Sequence, residues 1–566
     1  MTWGRLRARW LGRVTFADAH ALQSALHARS ADDHLLLLEH PSVYTLGVRG
    51  TLDSVLVAPA DLPGDLVRTN RGGDITWHGP GQLVGYPVLS VPPAPGATTS
   101  HVHAVEQVVI DALADLGLAG ATRSPGFPGV WLGERKIAAV GVRITRGRSM
   151  HGFALNVDPD LSCFDGIVPC GLVGRGVTSL AAEGLHVTMR EVVDAVAARA
   201  GERWGRSGVE RQDVAWRAAS AGVEALSGRA RPSAGAEAAP CGSASSSAVA
   251  ASAGPAAAAV GVPVRLLGRL AAAGVDAAAG ISLDRRKPDW LRAKAEMGPA
   301  YQALKRDLRD RSLSTVCEEA GCPNIYECWS AGTATFMING SRCTRGCGFC
   351  LVDTRHPEVL DEAEPDRVAD AVAAMGLGHT VITAVARDDL ADGGAAAFAA
   401  SIHAVHDRCP GTAVEVLIPD CKGDAGALAT IFAARPEVLN HNLETVARLQ
   451  RAVRPSASYA RSLSVLARAK DAGLTTKSGL ILGMGESEPE VLGALADLRG
   501  VGVDIVTLGQ YLRPTAGHLP VARWWHPDEF DRLAAAGAAM GFAHVQASPL
   551  TRSSYHAREA AGAAAR

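Results

Sequence analysis

The chain has 566 residues, 47% hydrophobic and 20% charged, and its formal net charge is −2. This composition is typical of a globular protein. The charge balance gives neither a basic field for nucleic acid nor a like-charged patch for a membrane surface. At about 150 residues per domain, the length predicts three to four units or two larger ones. The first residues lack the apolar segment of a secretory signal, and no apolar run is long enough to span a membrane, so we expect a cytoplasmic protein.

Helical and strand patterns alternate over residues 1–217. We predict an amphipathic helix over Phe16–Ala28, a buried strand over Asp33–Glu39 and a helix over His103–Leu116. A strand over Gly129–Val142 and another over Ser149–Asn156 follow, joined by a polar turn. This order of elements predicts an α/β domain.

Residues 218–280 differ in composition from the rest of the chain. Within them, Arg231–Val260 is mostly Ala, Ser, Gly and Pro, which offer too few large apolar groups to offset the entropy of ordering. We predict a flexible linker with a short helix at Val264–Ala273. A mobile tether of about 45 residues has a root-mean-square reach of about 35–40 Å, so the two halves are expected to act near each other without a fixed interface.

Short apolar strands alternate with helices over residues 281–566. Repeated strand–helix units favour a parallel sheet that is closed or curled into a barrel. The strands are predicted at Thr380–Thr383, Ala413–Leu417, Val438–Asn440, Thr476–Leu482, Ile505–Gly509 and His544–Ala547.

The 11 cysteines are unevenly distributed, because six of them lie within residues 317–350. A disulfide framework is not expected in a cytosolic chain of this size, so the clustering points to metal. Cys343, Cys347 and Cys350 form a C-x3-C-x2-C loop whose thiolates can bind three irons of a cubane cluster and leave the fourth iron open. A structural zinc site remains the alternative, although such sites normally use four ligands in paired arms.

The C-x3-C-x2-C loop resembles that of the radical S-adenosylmethionine (SAM) enzymes. A second triplet of Cys317, Cys322 and Cys328 precedes it with C-x4-C-x5-C spacing. The two triplets together resemble lipoyl synthase over about residues 288–560, which implies an auxiliary cluster on the first triplet. In that family a serine in a C-terminal Arg-Ser-Ser-Tyr motif is the fourth ligand of this cluster, and the matching residue is Ser554.

This resemblance implies a partial (β/α) barrel of the radical SAM type, with two 4Fe–4S clusters and SAM as cofactors. It also implies that a SAM-derived radical takes hydrogen atoms from C6 and C8 of a protein-bound octanoyl chain, and that the auxiliary cluster supplies the sulfur. An electron donor and an iron–sulfur carrier are implied partners. The motif Gly479-x-Ile481-x-Gly483-x-x-Glu486 matches the strand and turn that support the nucleoside in such enzymes.

Two residues of the N-terminal half are candidates for acyl transfer chemistry. Lys136 stands between apolar strand residues and is a candidate base, because desolvation disfavours the charged form of a lysine. Cys170 stands between Pro169 and Gly171 and is expected on a sharp, accessible turn where a thiolate can attack. The residues alone leave open a surface role for Lys136, a packing role for Cys170 and a structural, hydrogen-bonded role for His78.

The glycine-rich stretch Arg71–Leu83 and the motifs around Lys136 and Cys170 closely resemble lipoyl(octanoyl) transferase over about residues 10–205, a fold of the biotin/lipoate ligase-like type. The resemblance implies that Cys170 carries an octanoyl thioester and that Lys136 is its base. The implied donor is octanoyl-acyl carrier protein, and the implied acceptors are lysines on lipoyl domains of 2-oxo acid dehydrogenase complexes and on glycine cleavage H protein. Trp77 replaces the tyrosine usual in the family and is expected to reshape the wall of the acyl pocket. The residues implied to line this pocket are Arg71, Gly72, Gly73, Asp74, Ile75, Thr76, Trp77, His78, Ala139, Val140, Gly141, Gly152, Phe153 and Ala154.

The leading hypothesis is therefore a bifunctional enzyme that performs octanoylation and then sulfur insertion. An ATP-dependent lipoate ligase, a related fold, is a second interpretation of the N-terminal half, which the motifs of Cys170 and Lys136 disfavour. A third interpretation makes one half a docking module for lipoyl domains. Intact catalytic residues in both halves disfavour that interpretation.

Overall fold

The structure of the chain is a computed structural model. It describes residues 5–168, 175–216, 261–292, 298–311, 313–319, 321–330 and 335–564. Cys170 and residues 218–260 of the predicted linker therefore lie outside the described residues, and so does the side chain of Cys328. No helix in the described part is long and apolar enough to cross a membrane.

Residues 5–216 form a mixed α/β unit. Its helices are α1 Phe16–Arg29, α2 Ala97–Asp115 and α3 Met189–Trp204. Its strands are β1 Leu6–Arg13, β2 Asp33–Glu39, β3 Val43–Leu46, β4 Asp65–Arg68, β5 Ile75–His78, β6 Gln82–Val88, β7 Thr122–Ser124, β8 Phe127–Leu132, β9 Arg135–Thr145, β10 Arg148–Asn156, β11 Gly176–Val177 and β12 Val209–Arg211.

Nine of these strands form one sheet in the order β12-β1-β2-β6-β10-β9-β8-β7, with β11 paired to β9. A small second sheet has the order β4-β3-β5. Strand β2 shows why the large sheet is covered on both faces, since successive side chains point to opposite sides. Leu35 and Leu37 pack into the core under α2 and α3, whereas Leu36 and Leu38 pack into the core that contains α1.

Residues 261–564 form the second unit. Its helices are α4 Val264–Ala272, α5 Pro299–Asp310, α6 Val316–Glu319, α7 Ile325–Ser330, α8 Glu364–Met375, α9 Ala395–Arg408, α10 Ala425–Ala433, α11 Gln450–Val453, α12 Tyr459–Asp471, α13 Glu488–Gly500, α14 Pro527–Ala539 and α15 Ala557–Ala564. Its strands are β13 Ser314–Thr315, β14 Thr335–Ile338, β15 His379–Ala384, β16 Ala413–Leu417, β17 Val438–Asn440, β18 Thr475–Leu482, β19 Ile505–Gln510 and β20 His544–Ala547.

These strands form one eight-stranded sheet in sequential order from β13 to β20. Strands β14 to β20 are parallel, and β13 is antiparallel to β14. The six strands predicted from the sequence are all present, so the partial barrel is confirmed. The first parallel strand, β14, is not among the predicted strands.

Two predictions for the N-terminal half were wrong in detail. The strand predicted over Gly129–Val142 is two antiparallel strands, β8 and β9, joined by a turn at Gly133 with φ +57°. A positive φ at this position favours glycine. Helix α2 begins at Ala97 rather than His103, so its first turn is formed by small and polar residues that give no apolar pattern.

The end of the predicted linker is packed against the barrel. The short helix predicted at Val264–Ala273 is confirmed as α4. Its Leu266 and Leu270 are buried in the same apolar cluster as Tyr459 and Leu463 of α12. Residues 261–280 therefore belong structurally to the C-terminal half.

The two halves share a fixed interface, which contradicts the expectation of a loose tether. Helix α1 packs against α12, and Leu22 and Leu26 of α1 join an apolar cluster that includes Leu463 and Leu498 of the barrel. Continuous apolar burial of this kind stabilises association by about 25 cal/mol per Å² removed from water.

A buried ion pair lies within this interface. The Arg9 guanidinium of β1, 2% exposed, donates to the Asp497 carboxylate of α13 through Nε at 2.8 Å and Nη2 at 2.9 Å. The Tyr459 hydroxyl donates to the same carboxylate at 2.8 Å, and Glu210 accepts from Arg9 at 3.0 Å. Charges removed from water need such partners, so the interface is specific as well as apolar.

Candidate functional site

The loop after β14 carries the cysteine triplet of the C-x3-C-x2-C motif. Backbone N–H groups of Arg345 and Ala386 donate to the Cys343 sulfur at 3.4 and 3.3 Å. The Gly348 N–H donates to the Val453 carbonyl at 2.8 Å, and a Cβ at Gly348 would lie 3.0 Å from Leu519. A side chain at Gly348 would press on Leu519, so glycine favours close packing of the loop against the barrel.

The cysteines of both triplets face one cavity of about 350 Å³ at the carboxyl ends of the strands. The described thiols that line it are Cys317, Cys322, Cys343, Cys347 and Cys350, and Ser554 lies on the same wall. None of these thiols forms a disulfide. The structure therefore brings together every predicted ligand whose side chain it describes.

Hydrogen bonds connect residues 550–555, near the C-terminus, to the segment that carries the first cysteine triplet. The Tyr555 hydroxyl donates to Glu327 of α7 at 3.1 Å, and the Asn324 amide donates to the Leu550 carbonyl at 2.8 Å. On the other side, the Asn442 amide donates to the Ser553 hydroxyl at 2.6 Å. These contacts place the segment that contains Ser554 between the first triplet and the barrel.

The donor set of this cavity fits iron–sulfur clusters. Burial raises the pKa of Cys317 to about 11 and that of Cys350 to about 12, so the thiols keep their protons until a cation compensates the thiolate charge. Among the described residues, no three His, Cys, Asp or Glu side chains are grouped around a single ion. In a cubane each thiolate binds a different iron, and the five described thiols of the cavity are ligands of the kind that such clusters use.

The cavity also fits a polar organic cofactor. The buried side-chain oxygens of Asn440 and Asn442, both in the cavity wall, have no hydrogen-bond partner. Buried acceptors of this kind normally have a donor, which a bound ligand can supply. Glu444 and Arg454 also line the cavity, and sequence reasoning assigned no role to either. No spacing pattern marks Arg454, which donates to the Asn442 carbonyl at 2.8 Å.

The turn after β18 has the form expected from the Gly479–Glu486 motif. The Glu486 carboxylate accepts from the backbone N–H groups of Gly483 and Met484 and from the Trp525 indole at 2.9 Å. Gly483 has φ +113°, and a Cβ there would lie 2.1 Å from the Gln510 amide. Only glycine fits this turn, which supports one wall of the cavity.

In the N-terminal half, three predicted segments meet on the large sheet. The Gly72 N–H donates to the Val142 carbonyl of β9 at 3.1 Å. Gly141 of β9 pairs in register with Gly152 of β10, and Ala139 pairs with Ala154. A Cβ at Gly141 would lie 2.9 Å from the Gly72 carbonyl, so the close approach depends on glycine.

Arg71 and Asp74 hold the first of these segments in place. The Arg71 guanidinium donates to the Thr45 hydroxyl and carbonyl on β3, and Asp74 accepts from Ser54 at 2.9 Å and from the Ile75 N–H at 2.7 Å. Thr45 was not identified from the sequence, since nothing local marks it as a partner of Arg71.

Trp77 is buried in the apolar core beside the small sheet. Its indole donates to Ser42 at 2.9 Å and packs edge-on against Phe164, within the apolar cluster of the small sheet. Side chains alternate along β5, so Thr76 and His78 point to the other side. The Trp77 ring thus fills the core behind β5, and its effect on the wall of the acyl pocket stays a prediction.

Buried histidines surround this region. His78 contacts Gln82 at 2.8 Å, and burial lowers its pKa to about 3. His151 contacts Asn70 at 2.6 Å, and burial lowers its pKa to about 3 as well. Both rings are thus neutral and hydrogen-bonded, as in the structural interpretation of His78.

Lys136 lies on β9 and is 6% exposed, with its Nζ 4.7 Å from the Trp131 ring centroid. Cys170 lies outside the described residues, but the chain is described on either side of it. The Val168 N–H donates to the Ser54 carbonyl at 2.8 Å, and Gly176–Val177 pairs with Arg135–Lys136. The residues on either side of Cys170 thus contact Ser54, which donates to Asp74, and β9, which carries Lys136.

Comparison with known proteins divides the chain in the same way. Family models match the lipoyl protein ligase A/B catalytic domain over residues 15–200, the N-terminal domain of lipoyl synthase of the radical SAM family over 279–322, and the radical SAM superfamily over 337–498.

Two curated relatives match the C-terminal half. The lipoyl synthase of Rubrobacter xylanophilus is 58% identical over 275 residues, 48% of this chain and 86% of the relative. That of Kineococcus radiotolerans is 56% identical over 272 residues, 48% of this chain and 82% of the relative.

Among solved structures, a bipartite lipoate protein ligase from Thermoplasma acidophilum matches 38% of this chain and 87% of its own, with 19% identity and a TM-score of 0.32, too low to carry an argument. The family models and the lipoyl synthase relatives agree with the two candidate sites. The chain therefore belongs to the lipoyl synthase family through its C-terminal half, carries a lipoate ligase/transferase catalytic domain in its N-terminal half, and is a two-activity enzyme of lipoate biosynthesis.

Proposed function

We propose that this protein transfers an octanoyl group from octanoyl-acyl carrier protein to a lysine of a lipoyl domain. It then inserts sulfur at C6 and C8 of the transferred octanoyl group. The observation that carries the proposal is the cavity that five described thiols share with Ser554. Such a cavity has the donors for two clusters, and the attached N-terminal half has a buried lysine, Lys136, on β9.

The proposed first reaction is acyl transfer through Cys170. Lys136 accepts the thiol proton, and the Cys170 thiolate attacks the thioester carbonyl of the donor, whose carrier thiol leaves with a proton. The acceptor amine then attacks the new thioester, and the Cys170 thiol is regenerated. The glycines of the Gly72–Gly141 crossing let the segment with Arg71 and Asp74 lie against β9, the strand of Lys136, which supports this role.

For the second reaction we assign Cys343, Cys347 and Cys350 to one 4Fe–4S cluster, and the first triplet with Ser554 to another. Bound clusters and SAM supply one-electron chemistry on unreactive C–H bonds and the sulfur. The protein's own contribution is to orient and to exclude water. Asn440 and Asn442 present unpaired oxygens to a polar ligand, and the barrel walls enclose the reacting carbon atoms.

We assign residues 1–217 to the acyltransferase and 281–566 to the synthase, with 218–260 as the connection and 261–280 packed against the synthase. The proposed partners are octanoyl-acyl carrier protein, lipoyl domains of 2-oxo acid dehydrogenase complexes, glycine cleavage H protein, an electron donor and an iron–sulfur carrier. Each partner reacts or exchanges at one of the two sites.

Metal analysis of the anaerobically reconstituted chain tests the second activity. The intact chain is expected to hold about eight irons, and Cys317→Ala and Cys343→Ala about four each. Cys409→Ala, a half-buried cysteine outside the cavity, is the matched control and should retain all of them. Zinc in place of iron, or equal iron in all variants, would contradict the assignment.

Transfer of octanoate from the carrier protein without ATP tests the first activity. Cys170→Ala is expected to abolish both transfer and the thioester seen by mass spectrometry, whereas Cys163→Ala, the neighbouring cysteine, should retain them. A strict requirement for ATP would instead support the lipoate ligase interpretation. Binding of lipoyl domains without any transfer would support a docking module.

A further inference from the structure

A chain of ion pairs crosses the interface between the halves and begins at Asp18. This residue lies in the first turn of α1 and is 2% exposed. Its carboxylate accepts from Arg461 Nε at 3.3 Å and from Arg468 Nη2 at 3.2 Å, both on α12 of the barrel. Thr15, the N-cap of α1, also donates to it at 2.8 Å. Asp18 is therefore committed to the opposite half of the chain.

The chain of ion pairs continues into the barrel through Asp420. Arg461 Nη1 lies 3.7 Å from Asp420 Oδ2, and Asp420 Oδ1 lies 2.7 Å from Arg345 Nη2. Arg345 donates to Asp388 as well, through Nε and Nη2 at 2.7 Å each. Asp420 is fully buried, and the neighbouring guanidinium groups hold its pKa below the usual value.

Arg345 connects this network to the cysteine loop. It stands between Cys343 and Cys347, and its backbone N–H donates to the Cys343 sulfur at 3.4 Å. Its side chain fixes the middle of the loop, because bidentate arginine–carboxylate contacts set geometry as well as energy. Acidic and basic groups alternate along the whole path, so each charge is balanced by its neighbours.

Removal of the Asp18 charge leaves the positive charges of Arg461 and Arg468 without their carboxylate partner on α1. Without the Asp18 charge, Arg461 keeps Asp420 as its carboxylate within ion-pair distance, and it competes with Arg345 for that group. Buried charges that lose a partner are costly, so the network rearranges rather than leaving one unpaired. The backbone of Gly423 connects Arg468 to Asp420, since its carbonyl accepts from Arg468 at 3.0 Å and its N–H donates to the Asp420 carbonyl at 2.7 Å.

We propose that Asp18 is a positioning residue for the Cys343–Cys350 loop, so that the N-terminal half helps to shape the cluster site of the C-terminal half. The inference rests on the proposed function only in giving the loop a cluster to hold. The geometry of the network does not depend on that function, so a measurement on the metal-free chain tests the positioning role separately from the proposed function.

Hydrogen–deuterium exchange on the metal-free full-length chain is the test. Asp18→Asn keeps the shape of the side chain and removes its charge. Exchange of residues 341–352 is expected to rise about tenfold, the effect of weakening roughly one charge-assisted hydrogen bond. The reconstituted variant should also lose iron to a chelator faster, with octanoyl transfer unchanged.

Two controls make the result decisive. Asp471→Asn removes a carboxylate that pairs with Arg29 at the same interface without reaching the loop, so its exchange should match wild type. Arg461→Met added to Asp18→Asn should give no further increase, since both act along one path. Wild-type exchange in Asp18→Asn, or a rise spread evenly over the barrel, would overturn the proposal. A chain that binds no iron yet shows the local rise would overturn the proposed function alone.

Discussion

Replacement of Asp497 by asparagine is expected to weaken the contact between the halves by about 3 kcal/mol. The carboxylate receives two hydrogen bonds from Arg9 and one from Tyr459, at 2.8–2.9 Å. Removal of one partner of a buried ion pair costs about 3–5 kcal/mol. Because Glu210 remains 3.0 Å from Arg9 and balances part of its charge, we expect the lower end of that range.

The assay uses the complete chain with a protease site inserted between residues 217 and 260, outside the described interface. After folding and cleavage, the halves are expected to stay associated, and their dissociation constant can be measured by dilution. At about 1.4 kcal/mol per tenfold change, Asp497→Asn should raise that constant about a hundredfold.

A surface ion pair in the same interface provides the control. Asp471, 57% exposed, pairs with Arg29, and Asp471→Asn should change the dissociation constant by no more than about fivefold. Equal constants for wild type and Asp497→Asn would refute the reasoning about the buried pair. Separation of the cleaved wild-type halves at micromolar concentration would refute the fixed interface itself.

Three other predictions concern individual side chains. Lys136→Met should lower octanoyl transfer about 10²–10⁴-fold, the usual contribution of a general base, and a loss below tenfold would contradict that role. Lys477→Met leaves Glu415 buried without its partner at 2.9 Å, which should lower the free energy of unfolding in denaturant by about 3–5 kcal/mol. Adding Glu415→Gln should recover part of this loss, and no recovery would argue against the ion pair. His78 and His151, with pKa values lowered to about 3, stay neutral when folded, whereas the unfolded chain binds protons below about pH 6.5. Stability should therefore be constant above pH 6.5 and fall by up to about 1.4 kcal/mol per pH unit and histidine below it; thermal unfolding of the N-terminal half with no change between pH 7 and 5 would contradict this.

Local patterns in the sequence predicted the local parts of the fold. The run Asp33–Glu39 and the barrel strands could be predicted because each is a short, mostly apolar segment, a pattern that favours a buried strand. Strands β8 and β9 were merged because both are apolar and only Gly133 and Glu134 separate them. The division of the chain between two sites was also predictable, since each motif is contiguous.

Contacts between distant residues could not be predicted in this way. The cysteine spacing predicted two triplets, but the hydrogen bond between Tyr555 and Glu327 that brings the C-terminus to the first of them joins residues 228 positions apart. The interface was missed for the same reason, because Arg9 looks like any strand arginine until Asp497 is opposite it. A composition that predicts a flexible linker says nothing about the surfaces at its two ends.

The ion pairs at the interface also have a consequence for inheritance. Arg9 and Asp497 are 488 positions apart, and Asp18 and Arg461 are 443 apart, yet each pair shares one buried environment. A substitution at one position leaves a buried charge unpaired until its partner changes, so the two segments of the gene are expected to vary together. A separately encoded relative that replaced either half would bring unmatched charges to this interface. Selection is therefore expected to favour keeping the two halves in one gene.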